Sequence, residues 1–279
     1  MVAYLNDQFV ENSEAVLHVS DLSMQRGYGI FDFLRTINGT PLFIEDHFNR
    51  FYTSAEAMHL PVSKNRKELA AIIDELIKKS GLAEAGIRIM LTGGYSEDSY
   101  HPSTPNLLIT CNTVKTATSD DFEKGISIIT HEYQRELPHI KSINYLMAVW
   151  LQPLLKEKQA DDVLYYNKES ITEFPRSNIF VVTADNKLVT PVHNILKGIT
   201  RKHILLIAGE VLPVEERNIT VDELMQAKEI FSTATSRKIL PVLKVNDKII
   251  GNGKPGVTTI SLYEKFLEME KSTHHLVSR

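Results

Sequence analysis

The sequence predicts an α+β chain of two domains, a small N-terminal one and a larger, strand-rich C-terminal one. Three observations carry this. In the first 113 residues, hairpin signals alternate with one clearly amphipathic helix. A polar run without hydrophobic period follows, Val114-Lys115-Thr116-Ala117-Thr118-Ser119-Asp120-Asp121-Phe122-Glu123. Beyond it, short apolar strand-like runs predominate. The expected division is an α+β domain over 1–113, a linker over 114–123 and a C-terminal domain over 124–279.

Each element has a local reason. Asn6-Asp7 reads as a turn between Ala3-Tyr4-Leu5 and Phe9-Val10. A strand over 30–37 runs into Asn38-Gly39, a strong hairpin signal, with Leu42-Phe43-Ile44 as its return strand. A helix over 46–58 stops before Leu60-Pro61. The next helix has Asn65 as cap, Glu68 three residues on, a stripe of Leu69, Ile72, Ile73, Leu76 and Ile77, and Gly81 as its stop. Strands over 87–92 and 107–111 complete this half. The second half offers strands over 126–130, 163–166, 178–183, 230–233 and 240–245, with turns at Asp185-Asn186 and Asn246-Asp247. Helices are expected over 145–158, which Pro153 kinks or splits, over 201–210, and over 220–227 from a Thr220…Glu223 capping pattern. Gly251-Asn252-Gly253-Lys254-Pro255-Gly256 lacks the spacing of a phosphate loop and reads as a turn into a final helix over 257–269.

Composition excludes several classes. The chain has 279 residues, a net charge of −4 and a 43% hydrophobic fraction, enough for a real core and without the basic balance of a nucleic-acid binder. Its single cysteine, Cys111, forbids an internal disulfide and, in an apolar run, reads as a small buried hydrophobe. No stretch is long and apolar enough for a membrane span and no signal core opens the chain, so the expected location is cytoplasmic, with neither membrane nor nucleic acid as partner. No metal-ligand spacing is present, and His274 and His275 in the polar tail read as solvated residues.

Five segments offer chemistry, and each has an ordinary structural reading when taken singly. His139-Ile140-Lys141-Ser142-Ile143-Asn144-Tyr145 puts a lysine at a strand–helix junction, where partial desolvation lowers an amine's pKa readily. Alone, Lys141 reads as a surface lysine. Ile171-Thr172-Glu173-Phe174-Pro175 offers a loop carboxylate, and His47-Phe48-Asn49-Arg50 a helical arginine. Gly198-Ile199-Thr200-Arg201 precedes a helix, whose first N–H groups can meet an anion. Ser232-Thr233-Ala234-Thr235-Ser236 is rich in hydroxyls.

In order and spacing these segments together resemble the class IV aminotransferases, the fold-type IV pyridoxal-phosphate enzymes, which include branched-chain and D-amino-acid transaminases and aminodeoxychorismate lyase. The resemblance runs from about residue 4 to residue 267, and Gly251-Asn252-Gly253-Lys254-Pro255-Gly256 is similar to the family's C-terminal glycine–proline signature. It implies a two-domain fold of the D-amino-acid-aminotransferase type, pyridoxal 5′-phosphate as cofactor, and a homodimer. Lys141 resembles the lysine that binds the cofactor covalently and shuttles a proton. Tyr145 is similar to the tyrosine that meets the cofactor's phenolic oxygen, and Glu173 to the carboxylate that faces its pyridine nitrogen. Arg50, Ile199, Thr200, Thr235 and Ser236 match the phosphate-holding positions. Phe174 departs from the family's small residue after the glutamate, which bears on the pocket's shape.

On the substrate side, Arg26-Gly27-Tyr28 resembles D-amino-acid transaminases, and the Phe-Glu-Gly-Ile-Arg run of branched-chain enzymes is absent. The tyrosine–glutamate pair of the D-specific enzymes reads here as Arg35-Thr36, and Ser96-Glu97-Asp98-Ser99-Tyr100-His101 stands in place of their arginine–x–histidine carboxylate trap. A substrate carboxylate still needs a cation. Arg88, between Ile87 and Ile89 and pointing to the other pleat face, is the first candidate; its structural alternative is an ion pair with an Asp or Glu. Arg26, reaching in from a partner subunit, is the second. The reaction implied is transfer from a D-amino acid to 2-oxoglutarate or pyruvate. A branched-chain L-transaminase and an aminodeoxychorismate lyase are the alternatives.

Overall fold

Two β-sheets organise the chain, which a computed structural model describes over residues 1–168 and 170–277. The backbone groups into two compact units: Met1–Lys115 with Ile140–Asn144, and Thr116–His139 with Tyr145–Lys271.

The first unit runs β1 (Val2–Leu5), β2 (Gln8–Glu11), α1 (Leu22–Arg26), β3 (Gly29–Ile37), β4 (Thr40–Pro41), α2 (Ile44–Ala57), α3 (Arg66–Ser80), β5 (Ala85–Thr92) and β6 (Leu107–Thr113). Its strands pair antiparallel in the order β2-β1-β6-β5-β3-β4. Strand alternation sets the core. Ile30 and Leu34 of β3 and Ile87, Ile89 and Leu91 of β5 share one cluster with Phe48 and Phe51 of α2 and Leu69, Ile73 and Leu76 of α3. The predicted Asn65–Glu68 capping box and the left-handed Gly81 stop of α3 are both present. Cys111 is buried in the same core, and that burial pushes its thiol pKa up. The expected return strand at Leu42-Phe43-Ile44 is corrected. The hairpin closes with Thr40–Pro41 alone, because Phe43 has φ of 52° and Ile44 already opens α2. Glu45 and Asp46 favour that start, being acidic residues in a first helical turn.

The second unit runs α4 (Ser119–Lys124), β7 (Ile126–Glu132), α5 (Leu146–Trp150), α6 (Gln152–Glu157), β8 (Asp162–Asn167), β9 (Ser170–Ile171), β10 (Asn178–Val182), β11 (Leu188–Thr190), α7 (Ile199–Ala208), β12 (Val214–Glu216), α8 (Val221–Met225), β13 (Glu229–Ala234), β14 (Lys238–Val245), β15 (Lys248–Ile249) and α9 (Val257–Val277). The last turn of α9, from Ser272, groups with the first unit. The strand order is β12-β11-β10-β13-β14-β7-β8-β9, with β15 on β14. Ile128, Leu164, Ile179, Val181, Ile230 and Val242 fill its core.

Two expectations change here, and the split anticipated at Pro153 is present. The run read as linker contains α4, closed by a Thr118–Asp121 capping box and anchored by Phe122 stacked on Tyr263. Aspartate at the third position, not the usual Glu or Gln, masked that cap. The helix expected over 145–158 is split into α5 and α6, with Pro153 in the first turn of α6, where its missing N–H costs nothing. Thr220 caps α8, but the Glu223 carboxylate accepts from Arg217 at 2.6 and 2.9 Å. The side chains of His274 and His275 lie outside the described residues.

Candidate active site

Lys141 lies on a stretch laid against the start of β3. Phe31 N–H donates to the Lys141 carbonyl at 2.9 Å and Ile143 N–H to the Gly29 carbonyl at 3.1 Å, while Lys141 N–H donates to Ser54 Oγ at 3.3 Å. Only glycine fits at position 29, where a Cβ would meet Leu91 O at 2.9 Å and Ile143 Cδ1 at 3.1 Å. The sequence reading assigned Lys141 to the C-terminal part of the chain; the structure groups it with the first unit. Its Nζ sits 4.7 Å from the centroid of the Phe31 ring.

Arg88 reaches the same ring. Its Cζ is 4.9 Å from the Phe31 centroid and 5.9 Å from that of Phe33, which pairs with it across β3 and β5. Ile87 and Ile89 are fully buried while Arg88 is exposed, as its place on the other pleat face requires. Among the described residues Arg88 makes no ion pair; aromatic faces take the place of the carboxylate that a structural role would need.

Arg50 is held by a residue that the sequence reading missed. Asp32, on the core face of β3, accepts Arg50 Nε and Nη2, each at 2.8 Å, and lies 2.7 Å from His47 Nδ1. The His-x-x-Arg spacing puts both partners one turn apart on α2, on the side that meets β3. Burial would raise the Asp32 pKa, but Arg50 and His47 outweigh it and hold the carboxyl well below its ordinary range. Burial lowers the His47 pKa; Arg50 and Lys141 add to that effect and Asp32 opposes it. The arrangement leaves Arg50 Nη1 uncommitted among the described residues. The signal was present in Ile30-Phe31-Asp32-Phe33-Leu34, since a carboxylate in an apolar strand requires a cation.

In the second unit, Glu173 is fixed at both oxygens. Oε1 accepts Arg135 Nη1 at 2.9 Å and Oε2 accepts Leu196 N–H at 2.9 Å. Leu196 lies on the loop leading into α7, so the carboxylate and that helix start are tied together. Tyr145, half-buried, stands at the N-cap of α5. Phe174, the departure from the family pattern, is buried in this unit's core.

The start of α7 is an anion-receptive cradle. Gly198 is its N-cap, no side chain caps the first turn, and Ile199 and Thr200 are buried there. A Cβ on Gly198 would meet Asn178 Oδ1 at 2.1 Å. Thr235 and Ser236 follow β13 in the turn to β14, half-buried. Just before them, the buried hydroxyl of Thr233 has no hydrogen-bond partner among the described residues. Uncapped N–H groups and neighbouring hydroxyls are a donor set suited to a phosphate. Arg201 is not part of that set: it is buried and committed to Glu216 at 2.6 Å and Pro191 O at 2.9 Å.

The remaining candidates stand apart. Arg26 ends α1 exposed and donates to Gln25 O at 2.8 Å. Arg35 is buried, and Thr36 bridges Ala83 O and Ala85 N–H at 2.8 Å each. In the 96–101 loop, Asp98 accepts from the backbone N–H of His101, pairs with its ring, and accepts from Tyr100 N–H and Ser96 Oγ, which lower its pKa and fix the turn. Among the described residues no group of His, Cys, Asp and Glu is placed to hold a metal, and no helix is long and apolar enough to cross a membrane.

The chain is similar to known proteins over most of its length. The family model for amino-transferase class IV matches residues 29–245. A D-alanine aminotransferase of Staphylococcus haemolyticus is 31% identical over 269 residues, covering 94% of this chain and 95% of that one. A putative branched-chain-amino-acid aminotransferase of Methanocaldococcus jannaschii is 28% identical, covering 96% of each. Among solved structures, the Escherichia coli branched-chain amino acid aminotransferase superposes with a TM-score of 0.90 at 24% identity, covering 96% of this chain and 94% of that one. The T.th. branched-chain amino acid aminotransferase, solved with pyridoxamine 5′-phosphate, gives 0.90 at 23%, covering 98% and 94%. These two likenesses establish the fold.

Proposed function

The chain belongs to the class IV aminotransferases, and from that premise we propose that it moves the amino group of a D-amino acid, D-alanine or D-glutamate, to a 2-oxo acid. Its cofactor is pyridoxal 5′-phosphate, which when bound supplies an aldehyde carbon and an electron-accepting ring. The uncapped start of α7 and the hydroxyls after β13 fit the phosphate of that group.

In this reading Lys141 would hold the cofactor covalently, and its Nζ would serve as the base that moves the substrate's α-proton. Arg50, oriented by Asp32, takes the phosphate with Ile199, Thr200, Thr235 and Ser236. With the cofactor bound, Glu173 would meet the pyridine nitrogen and Tyr145 the phenolic oxygen. Arg88 receives the substrate carboxylate, and Arg26 of a second copy assists in a homodimer of the cytoplasm.

The observation that carries the amino-acid substrate is Arg88: a guanidinium without an acidic partner among the described residues, on the ring that also carries Lys141. The likeness to a D-alanine aminotransferase favours the D enantiomer. The Methanocaldococcus relative favours a second reading, a branched-chain L-transaminase. Turnover of paired D- and L-alanine, glutamate and leucine with 2-oxoglutarate or pyruvate as acceptor separates them. Consumption of D-alanine or D-glutamate supports the first reading. Consumption of L-leucine alone replaces it with the second, and pyruvate release from aminodeoxychorismate without an acceptor replaces both.

A further inference from the structure

Glu173 follows β9 on a loop, where a glutamate ordinarily samples many rotamers. Here one contact fixes its backbone and two fix its side chain. Its carbonyl accepts Tyr165 N–H at 3.0 Å, Oε1 accepts Arg135 Nη1 and Oε2 accepts Leu196 N–H. The side chains are 12% exposed for Arg135 and 4% for Glu173. A buried carboxylate without a cation takes up a proton in preference to staying charged. A guanidinium stays charged at all working pH values, so beside Glu173 it favours the carboxylate form. A carboxylate has about four lone-pair sites, so accepting from Arg135 and Leu196 does not by itself exhaust them. For stability alone a buried ion pair roughly breaks even, which leaves orientation and charge as its contribution.

We propose that Arg135 is a positioning residue: it aims Glu173 and keeps it ionised, so that Glu173 can hold a proton on the cofactor's pyridine nitrogen. This rests on the reading of Glu173 given above. Arg135 touches neither substrate nor cofactor in this role and acts only through Glu173. It leaves β7 on the same loop that continues to Lys141, six positions on.

The test is the 15N signal of the pyridine nitrogen in holoenzyme loaded with 15N-labelled pyridoxal 5′-phosphate. Wild type is expected to show a protonated nitrogen and Glu173→Gln an unprotonated one. Arg135→Gln and Arg135→Met, made in parallel so that one folded variant suffices, are expected to move the signal toward that of Glu173→Gln. They should also lower kcat about tenfold or more, the scale of one lost charge-assisted hydrogen bond, with KM little changed. Arg135→Lys, which restores the charge, should bring the signal back toward wild type. A wild-type nitrogen signal in both neutral variants, with a shifted one in Glu173→Gln, overturns the role of Arg135 and leaves a structural ion pair. A wild-type signal in Glu173→Gln overturns the Glu173 reading, and Arg135 falls with it.

Discussion

Arg88 and Lys141 share one aromatic ring: the guanidinium carbon and the ammonium nitrogen lie 4.9 and 4.7 Å from the centroid of Phe31. The two charges are therefore no farther apart than the sum of those distances. The electron-rich face of the ring attracts both charges. Under the proposed function this places the attachment lysine and the receptor of the substrate carboxylate around one ring.

Arg88→Ala should raise KM for the amino acid about tenfold to hundredfold, the range of a lost hydrogen bond to a charged group. Steady-state kinetics on the preferred substrate pair checks this. Unchanged KM for both substrates would mean that Arg88 serves only the packing of Phe31 and Phe33.

The Asp32–His47–Arg50 cluster makes a prediction about pH. Burial lowers the His47 pKa, helped by Arg50 and Lys141 and opposed by Asp32, so the folded value lies under the ordinary value of about 6.5. Between those values the unfolded chain binds more protons, so this term of stability is complete above about pH 6.5 and falls as pH drops below it. Melting temperatures of wild type and His47→Gln, measured from pH 7.5 to 5, should converge toward the acid end as wild type loses the term. Parallel curves would show that His47 does not titrate in this way.

Gly198→Ala should weaken the cofactor's hold without unfolding the protein. The new Cβ would lie 2.1 Å from Asn178 Oδ1, and Asn178 is itself tied to Leu196 O at 2.7 Å, so the start of α7 must shift. Overpacking of this kind costs about 1–3 kcal/mol. Titration of the apoprotein with pyridoxal 5′-phosphate measures the loss, and Gly209→Ala, which meets nothing within 4 Å at the other end of the helix, serves as the control. Equal affinity in both variants would remove Gly198 from the phosphate cradle.

What was legible in the sequence follows the range of the interactions. α3 was legible because its cap, apolar stripe and terminating glycine are all local. α4 was hidden because a polar composition masked its Thr118–Asp121 cap, and β4 was misplaced because the left-handed Phe43 leaves no sequence mark. Lys141 could be picked out from its neighbours in the chain, but its grouping with the first unit depends on bonds to Gly29, Phe31 and Ser54, all far away in sequence. Asp32 carried a readable signal, an acid in an apolar strand, whereas Arg135 looked like any polar loop residue until Glu173 was placed beside it.

We propose Lys141 as the lysine that binds the cofactor covalently. Borohydride reduction of the holoenzyme followed by peptide mass mapping tests it directly. The phosphopyridoxyl mass should fall on the peptide containing Lys141, and be lost in Lys141→Ala together with transamination. The same mass on any other lysine, or transamination that survives in Lys141→Ala, would contradict the account.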